Sequence, residues 1–125
     1  MNNVWHRGTV LQGDKTGRIL GYPTVNINPN IILPGFKNGV YSCKVNVLGM
    51  LYDGALFYGP RLVKNETNRV LEIHIIGFTG NLYDKKITFQ IGEFIRDNIK
   101  FKSLEDLRLQ IQKDILKIVS SCKSH

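Results

Sequence analysis

The sequence predicts a mainly β protein: a small antiparallel barrel of five or six short strands, with one C-terminal helix packed against it. Three observations carry that expectation. Before residue 100, apolar and polar residues mostly alternate with a period of two, the spacing of half-buried strands. Clusters rich in Gly, Pro, Asn and Asp interrupt the alternation where turns and loops are needed. After residue 100 the period changes to three and four, as an amphipathic helix requires.

Taken in order, Val4 to Gln12 reads as a strand, followed by the loop GDKTGRILGYP. Pro23 then stiffens the entry to a further extended segment through Asn26. Gly39 to Leu48 sets Val40, Ser42 and Lys44 against Tyr41, Cys43, Val45 and Val47, which suits a half-buried strand. Met50 to Tyr58 is the next strand, ended by Gly59-Pro60, and Arg69 to Phe78 and Lys86 to Phe94 follow around the turn-like TGNLYD. Ser103-Leu-Glu-Asp106 has the form of a helix-capping box, with Asp in place of Glu or Gln at its last position. Leu104, Leu107, Ile111, Ile115 and Ile118 then mark the apolar stripe of the helix.

The 125 residues fit a single domain, 1–125, and 42% hydrophobic with 22% charged residues is the balance of a globular chain. No apolar run approaches the roughly 20 residues of a membrane helix. The start, MNNVWHRG, has no secretory signal, so a cytoplasmic location and no membrane partner are expected. Cys43 and Cys122, far apart and without metal-ligand spacing, read as free thiols. A net charge of +7 favours anionic partners, and the dispersed lysines do not select among them.

Several segments carry chemistry. GTVLQGDKT approaches the phosphate-binding loop GxxxxGK[ST], but Asp14 intrudes before Lys15 and no helical pattern follows, so that motif is set aside. Gly13, Gly17 and Gly21 still allow close approach of backbone to a ligand, and Lys15 and Arg18 add charge suited to phosphate. Thr24 and Asn26, two residues apart, leave an extended chain on one face and offer a hydroxyl and an amide oxygen. Such hard donors suit Mg²⁺ carried in by a nucleotide, and ordinary turn chemistry accounts for them equally well. In RVLEIHIIGF, Leu71, Ile73 and Ile75 form one face, while Val70, Glu72, His74 and Ile76 form the other. Glu72 thus points away from the barrel interior among apolar neighbours, placed either as a general base or as an exposed strand glutamate. His74 either orients it or covers it. Arg96 and Phe101 bracket RDNIKF, an arrangement that can hold an anion or a flat heteroaromatic ring, or anchor the following helix.

In this order the segments GTVLQGDKTGRILGYPTVNIN, GVYSCKV, ALFYGPRLV, LEIHIIGF and LYDKKITFQIGEFIRDNIKFKSLEDLRLQIQKDI resemble the riboflavin kinase (flavokinase) family. The resemblance runs from about Arg7 to Ile115. It implies a six-stranded antiparallel barrel, Greek-key and split, with a C-terminal helix. It implies transfer of the γ-phosphate of ATP, with Mg²⁺, to the ribityl 5′-hydroxyl of riboflavin, giving FMN and ADP. It implies that Gly13 and Arg18 belong to the loop over the ATP phosphates. Thr24 and Asn26 match the Pro-Thr-x-Asn signature that binds metal and phosphate, and Glu72 matches the catalytic base. Ile75 and Tyr83 fall where backbone and side chain line the adenine site. Arg96 and Phe101 fall in the flap over the flavin.

Two departures stand out. Gly77 replaces an Asp that many relatives carry, and YGPRLV replaces the more usual Gly-x-x-Pro-Thr. The common bacterial arrangement places an adenylyltransferase domain ahead of the kinase. These residues read as the kinase domain alone, so FAD synthesis is not carried over. A monomer with no nucleic-acid partner is expected. The competing readings are a basic nucleic-acid-binding barrel and a flavin-binding regulator without catalysis.

Overall fold

The computed structural model describes residues 4–13, 16–32, 35–62 and 68–123, without the side chains of Thr16, Cys122 and Lys123. Its strands are β1 His6–Thr9, β2 Val25–Ile27, β3 Gly39–Val47, β4 Met50–Pro60, β5 Arg69–Ile75 and β6 Lys86–Asp97. A helical turn α1, Thr16–Ile19, and a 3₁₀ turn, Pro29–Ile31, lie on either side of β2, and the long helix α2, Leu104–Lys123, ends the fold. The six strands form one antiparallel sheet in the order β1-β6-β3-β4-β5-β2. Its two edges meet where the Leu11 N–H donates to the Asn26 carbonyl at 2.7 Å, so the sheet curls into a nearly closed barrel.

That seam explains why β1 is shorter than the alternation of Val4 to Gln12 implies. The Val10 N–H donates to Lys85 O, on the β6 side, and the next amide, Leu11, donates across to β2. The chain changes partner within one residue, and a regular ladder cannot continue through such a switch. β6 runs further than expected, to Asp97, because a bulge absorbs the curvature. Tyr41 pairs with Phe94 and Cys43 with Ile91, so Gly92 and Glu93 together face Ser42, whose hydroxyl accepts from the Glu93 N–H at 2.9 Å. β5 stops at Ile75, short of Phe78, because Gly77 turns the chain at φ +82°.

The loop after β1 holds the four-residue helical turn α1 rather than irregular chain throughout. Asp14 and Lys15, which broke the phosphate-loop match, lie outside the described residues.

The alternation places the core as expected. Val45, Leu56, Leu71, Ile73, Ile87 and Phe89 are fully enclosed inside the barrel. Cys43 joins them as a free thiol, and burial pushes its proton affinity well above the ordinary thiol range. Val40 is the exception in β3: it belongs to the outer face yet is buried, because α2 and its approach cover that side. α2 begins as its sequence indicates, with the Asp106 N–H donating to Ser103 Oγ at 3.1 Å. Ile118 is fully buried and Leu107, Ile111 and Ile115 are half-buried, while Leu104 is exposed and leaves the expected stripe one member short. No helix among the described residues is long and apolar enough to cross a membrane.

Candidate active site

Residues opposite one another on antiparallel strands project to the same face. One register row crosses five strands of this barrel. Arg96 on β6 faces Val40 on β3, Val40 faces Phe57 on β4, Phe57 faces Glu72 on β5, and Glu72 faces Asn26 on β2. The row lies outside the barrel, since the alternate residues Leu71, Ile73 and Ile75 fill the interior. With strands about 4.8 Å apart, the path along the wall from Arg96 to Glu72 is about 14 Å, with two apolar side chains between.

α2 and the chain leading to it roof this row over a half-open cavity of about 140 Å³. Val40, Ala55 and Phe57 make its floor, while Leu107, Ile111 and Asp114 of α2, with Ile99 and Phe101, cover it. Tyr22, Thr24, Arg61, Glu72 and His74 form the polar end.

At that end both oxygens of Glu72 are engaged. Thr24 Oγ1 donates to Oε1 at 3.1 Å, and Arg61 Nε donates to Oε2 at 2.7 Å. Arg61 Nη2 also lies 3.5 Å from Asn26 Oδ1. The Arg61 and Glu72 side chains are 18% and 16% exposed, so solvent screens this pair little. The His74 ring bonds to the backbone ahead of Thr24. Its Nδ1 lies 2.8 Å from the Pro23 carbonyl, which only accepts, so Nδ1 carries the proton and fixes the peptide ahead of Thr24. Tyr22 packs edge-on against the His74 ring at 5.5 Å.

At the other end the Arg96 guanidinium makes a fork to Asp114. Nε reaches both carboxylate oxygens at 3.0 Å and Nη2 reaches Oδ2 at 2.9 Å. Asp114 is only 4% exposed and also accepts from Gln110 Nε2 at 3.0 Å. Arg96 stands over the Phe101 ring, 5.5 Å from its centroid. The fork ties β6 to α2 and presents a fixed cation beside an aromatic face.

The structure therefore brings Thr24, Asn26 and Glu72 together, with Arg96 and Phe101 at the far end of the same row. Gly13 approaches this group closely: a Cβ there would lie 1.8 Å from Asn26 Nδ2. Arg18 is exposed on α1 and does not line the cavity. Ile75 and Tyr83 are not drawn in either. The Ile75 side chain is buried in the core and its carbonyl accepts from the Phe78 N–H, while Tyr83 is 51% exposed.

Sequence reasoning missed Arg61, Asn98 and Asp114. Arg61 stood in the departure YGPRLV, where its strand-end position gave no partner. Asn98, whose Nδ2 donates to the Pro60 carbonyl at 2.9 Å, carried no signal. Asp114 did carry one: it sits with Leu107, Ile111 and Ile118 at helical spacing, and a carboxylate on a buried stripe requires a cationic partner.

A six-stranded antiparallel barrel with a helix-roofed cavity, aromatic and cationic at one end and carboxylate-bearing at the other, defines a small barrel protein with a candidate site on its outer wall. The family model described as Flavokinase: Riboflavin kinase matches residues 1–122. The chain belongs to the riboflavin kinase family. It is 37% identical over 109 residues to the bifunctional riboflavin kinase/FMN adenylyltransferase of Haemophilus influenzae, covering 86% of this chain and 35% of that protein. It is 38% identical over 109 residues to the RNA-binding riboflavin kinase RibR of Bacillus subtilis, covering 86% of this chain and 46% of that one. The chain thus spans less than half the length of either relative. The crystal structure of riboflavin kinase from Trypanosoma brucei superposes with a TM-score of 0.66 at 23% identity, over 96% of this chain and 80% of that one, a likeness of fold.

Proposed function

We propose that this chain transfers the γ-phosphoryl group of ATP to the terminal ribityl hydroxyl of riboflavin, forming FMN and ADP. The observation that carries the reading is the outer-face row from Arg96 through Val40 and Phe57 to Glu72 and Asn26. Its length and polarity match a flat ring system with a five-carbon polar tail. The ring lies over Val40 and Phe57 with Arg96 and Phe101 at its end, the tail reaches Glu72, and the phosphates sit beyond, at Thr24, Asn26 and Gly13. The roofed apolar floor of Val40, Ala55 and Phe57 suits a flat ring system better than an extended polynucleotide backbone, which favours the flavin over the nucleic-acid reading.

Among the described residues no group of three or more His, Cys, Asp or Glu is placed to hold a metal ion. The two neutral oxygens of Thr24 and Asn26 fit a cation that arrives on phosphate oxygens and keeps most of its ligands there. When bound, Mg²⁺ offsets charge on the phosphates. Thr24 and Asn26 hold the metal–nucleotide, and the Pro23 peptide, fixed by His74, sets the position of Thr24. Glu72 takes the hydroxyl proton as the ribityl oxygen attacks. Phosphoryl transfer asks chiefly for positioning and charge neutralisation, which a barrel wall supplies without a P-loop. Every group named comes from one chain, so a monomer suffices, and its small soluble substrates suit the cytoplasm.

The test is incubation of the purified chain with riboflavin and Mg-ATP, with Mg-CTP in parallel. One FMN and one ADP per turnover are expected with ATP. FMN from neither nucleotide overturns the reading.

A further inference from the structure

Each Glu72 oxygen keeps a second lone pair, but a carboxylate that holds both a hydroxyl donor and a guanidinium is a weakened base until one partner lets go. Thr24, one partner, is held in place. Val25 pairs with Ile73 immediately after it, and the Pro23 carbonyl immediately before it is bonded to His74. Arg61, the other, follows the last residue of β4 and carries a long side chain whose backbone is anchored through the Asn98 bond to the Pro60 carbonyl. Its guanidinium already spans the space between Glu72 and Asn26, 2.7 Å from one and 3.5 Å from the other. The first distance is a full charge-assisted bond and the second is at the outer limit of a hydrogen bond.

Electrostatics favours a protein cation at this point beside any metal that arrives with the nucleotide. A carboxylate base and a polyphosphate must approach the same hydroxyl oxygen, and two anions a few ångströms apart repel strongly in a partly desolvated cavity. A planar guanidinium can bond to carboxylate and phosphate oxygens with the same donor fork.

We propose that Arg61 is a catalytic residue that passes from the base to the phosphoryl group. Before the nucleotide binds, it holds Glu72 Oε2. With the nucleotide in place, its fork turns to oxygens of the transferring group, leaving Oε2 to accept the ribityl proton. The bond between the ribityl oxygen and the γ-phosphorus then forms as the bridging bond to the β-phosphate breaks, with that electron pair leaving on ADP. Arg61 keeps its protons throughout. This inference rests on the proposed phosphorylation of riboflavin and adds to it a residue that senses the donor and frees the base.

The experiment compares the parent chain, Arg61→Met and Arg61→Lys in FMN formation, riboflavin binding by fluorescence quenching, and thermal unfolding. For Arg61→Met the expected result is a fall in kcat on the order of a hundredfold or more, with riboflavin affinity little changed. Guanidinium chloride at tens of millimolar should restore part of that rate and leave the parent unaffected. Arg61→Lys, with charge but no fork, should fall between. A parent chain that makes no FMN overturns both the function and this role. An active parent beside an Arg61→Met variant that is unimpaired overturns the role of Arg61 alone. So does a variant that loses riboflavin binding and turnover together without rescue, and so does an Arg61→Lys variant as active as the parent, since charge without the fork would then suffice.

Discussion

The two faces of β5 follow opposite rules. Its inner residues, Leu71, Ile73 and Ile75, sit in a core where shape and apolar area decide everything and no polar partner is required. Its outer residues, Glu72 and His74, are each held by specific bonds, to Thr24 and Arg61 in one case and to the Pro23 carbonyl in the other. On the inner face a lost methylene costs stability through packing, without depriving any particular group of its partner. On the outer face each group has a named partner. Stability and function are therefore separable by face, and substitutions can test how cleanly.

The largest expected effect on function is at Glu72. Glu72→Gln keeps the size, gives Arg61 the amide carbonyl and turns the amide N–H₂ to Thr24 Oγ1, so the fold should persist with stability lowered by about 1–3 kcal/mol from the lost charge pair, while FMN formation falls about 10²–10⁴-fold. A variant that turns over at the parent rate removes Glu72 as the base. The converse comes from the inner face. Leu56 is completely buried, and Leu56→Ala should lower stability by about 2–5 kcal/mol, read as an earlier denaturant midpoint. The KM for riboflavin should hold in the fraction that remains folded. Smaller and more selective is Gly13→Ala. The added methyl overlaps the Asn26 amide, so use of Mg-ATP should weaken severalfold while riboflavin binding is kept. Unchanged nucleotide dependence would separate Gly13 from the phosphate site. The smallest effect is far from both faces. Leu48 turns the β3–β4 hairpin at φ +51° beside Gly49 at φ +91°, a conformation that Asn-Gly adopts more readily. Leu48→Asn should stabilise by about 0.5–1 kcal/mol with no change in rate.

The same division decides what could be read from the sequence. Inner-face periodicity is a one-dimensional signal, and Tyr41, Cys43, Val45 and Val47 announced a strand and its buried side without reference to anything distant. The helix was equally legible from Ser103 and the spacing of Leu107, Ile111 and Ile118. Thr24, Asn26 and Glu72 could be named as candidates, and the family resemblance ordered them. Their meeting depends on pairing between strands nearly fifty residues apart, which local spacing does not encode. Arg61 was invisible for that reason. Its importance comes from where β4 ends relative to β5, and from no pattern around it. Val10 shows the limit from the other side: its alternation was right, yet a switch of hydrogen-bonding partner shortened the strand.

The seam of the barrel gives Asn26 two duties at once. Its carbonyl receives the Leu11 N–H that joins the sheet edges, and its side chain faces Glu72 and Arg61 at the site. The backbone bond is a fastener and the amide is a hand, on one residue of a three-residue strand. Whatever the amide grips, the fastener feels. A substitution that displaces Asn26 to alter the amide therefore also strains the bond that joins the two edges of the sheet.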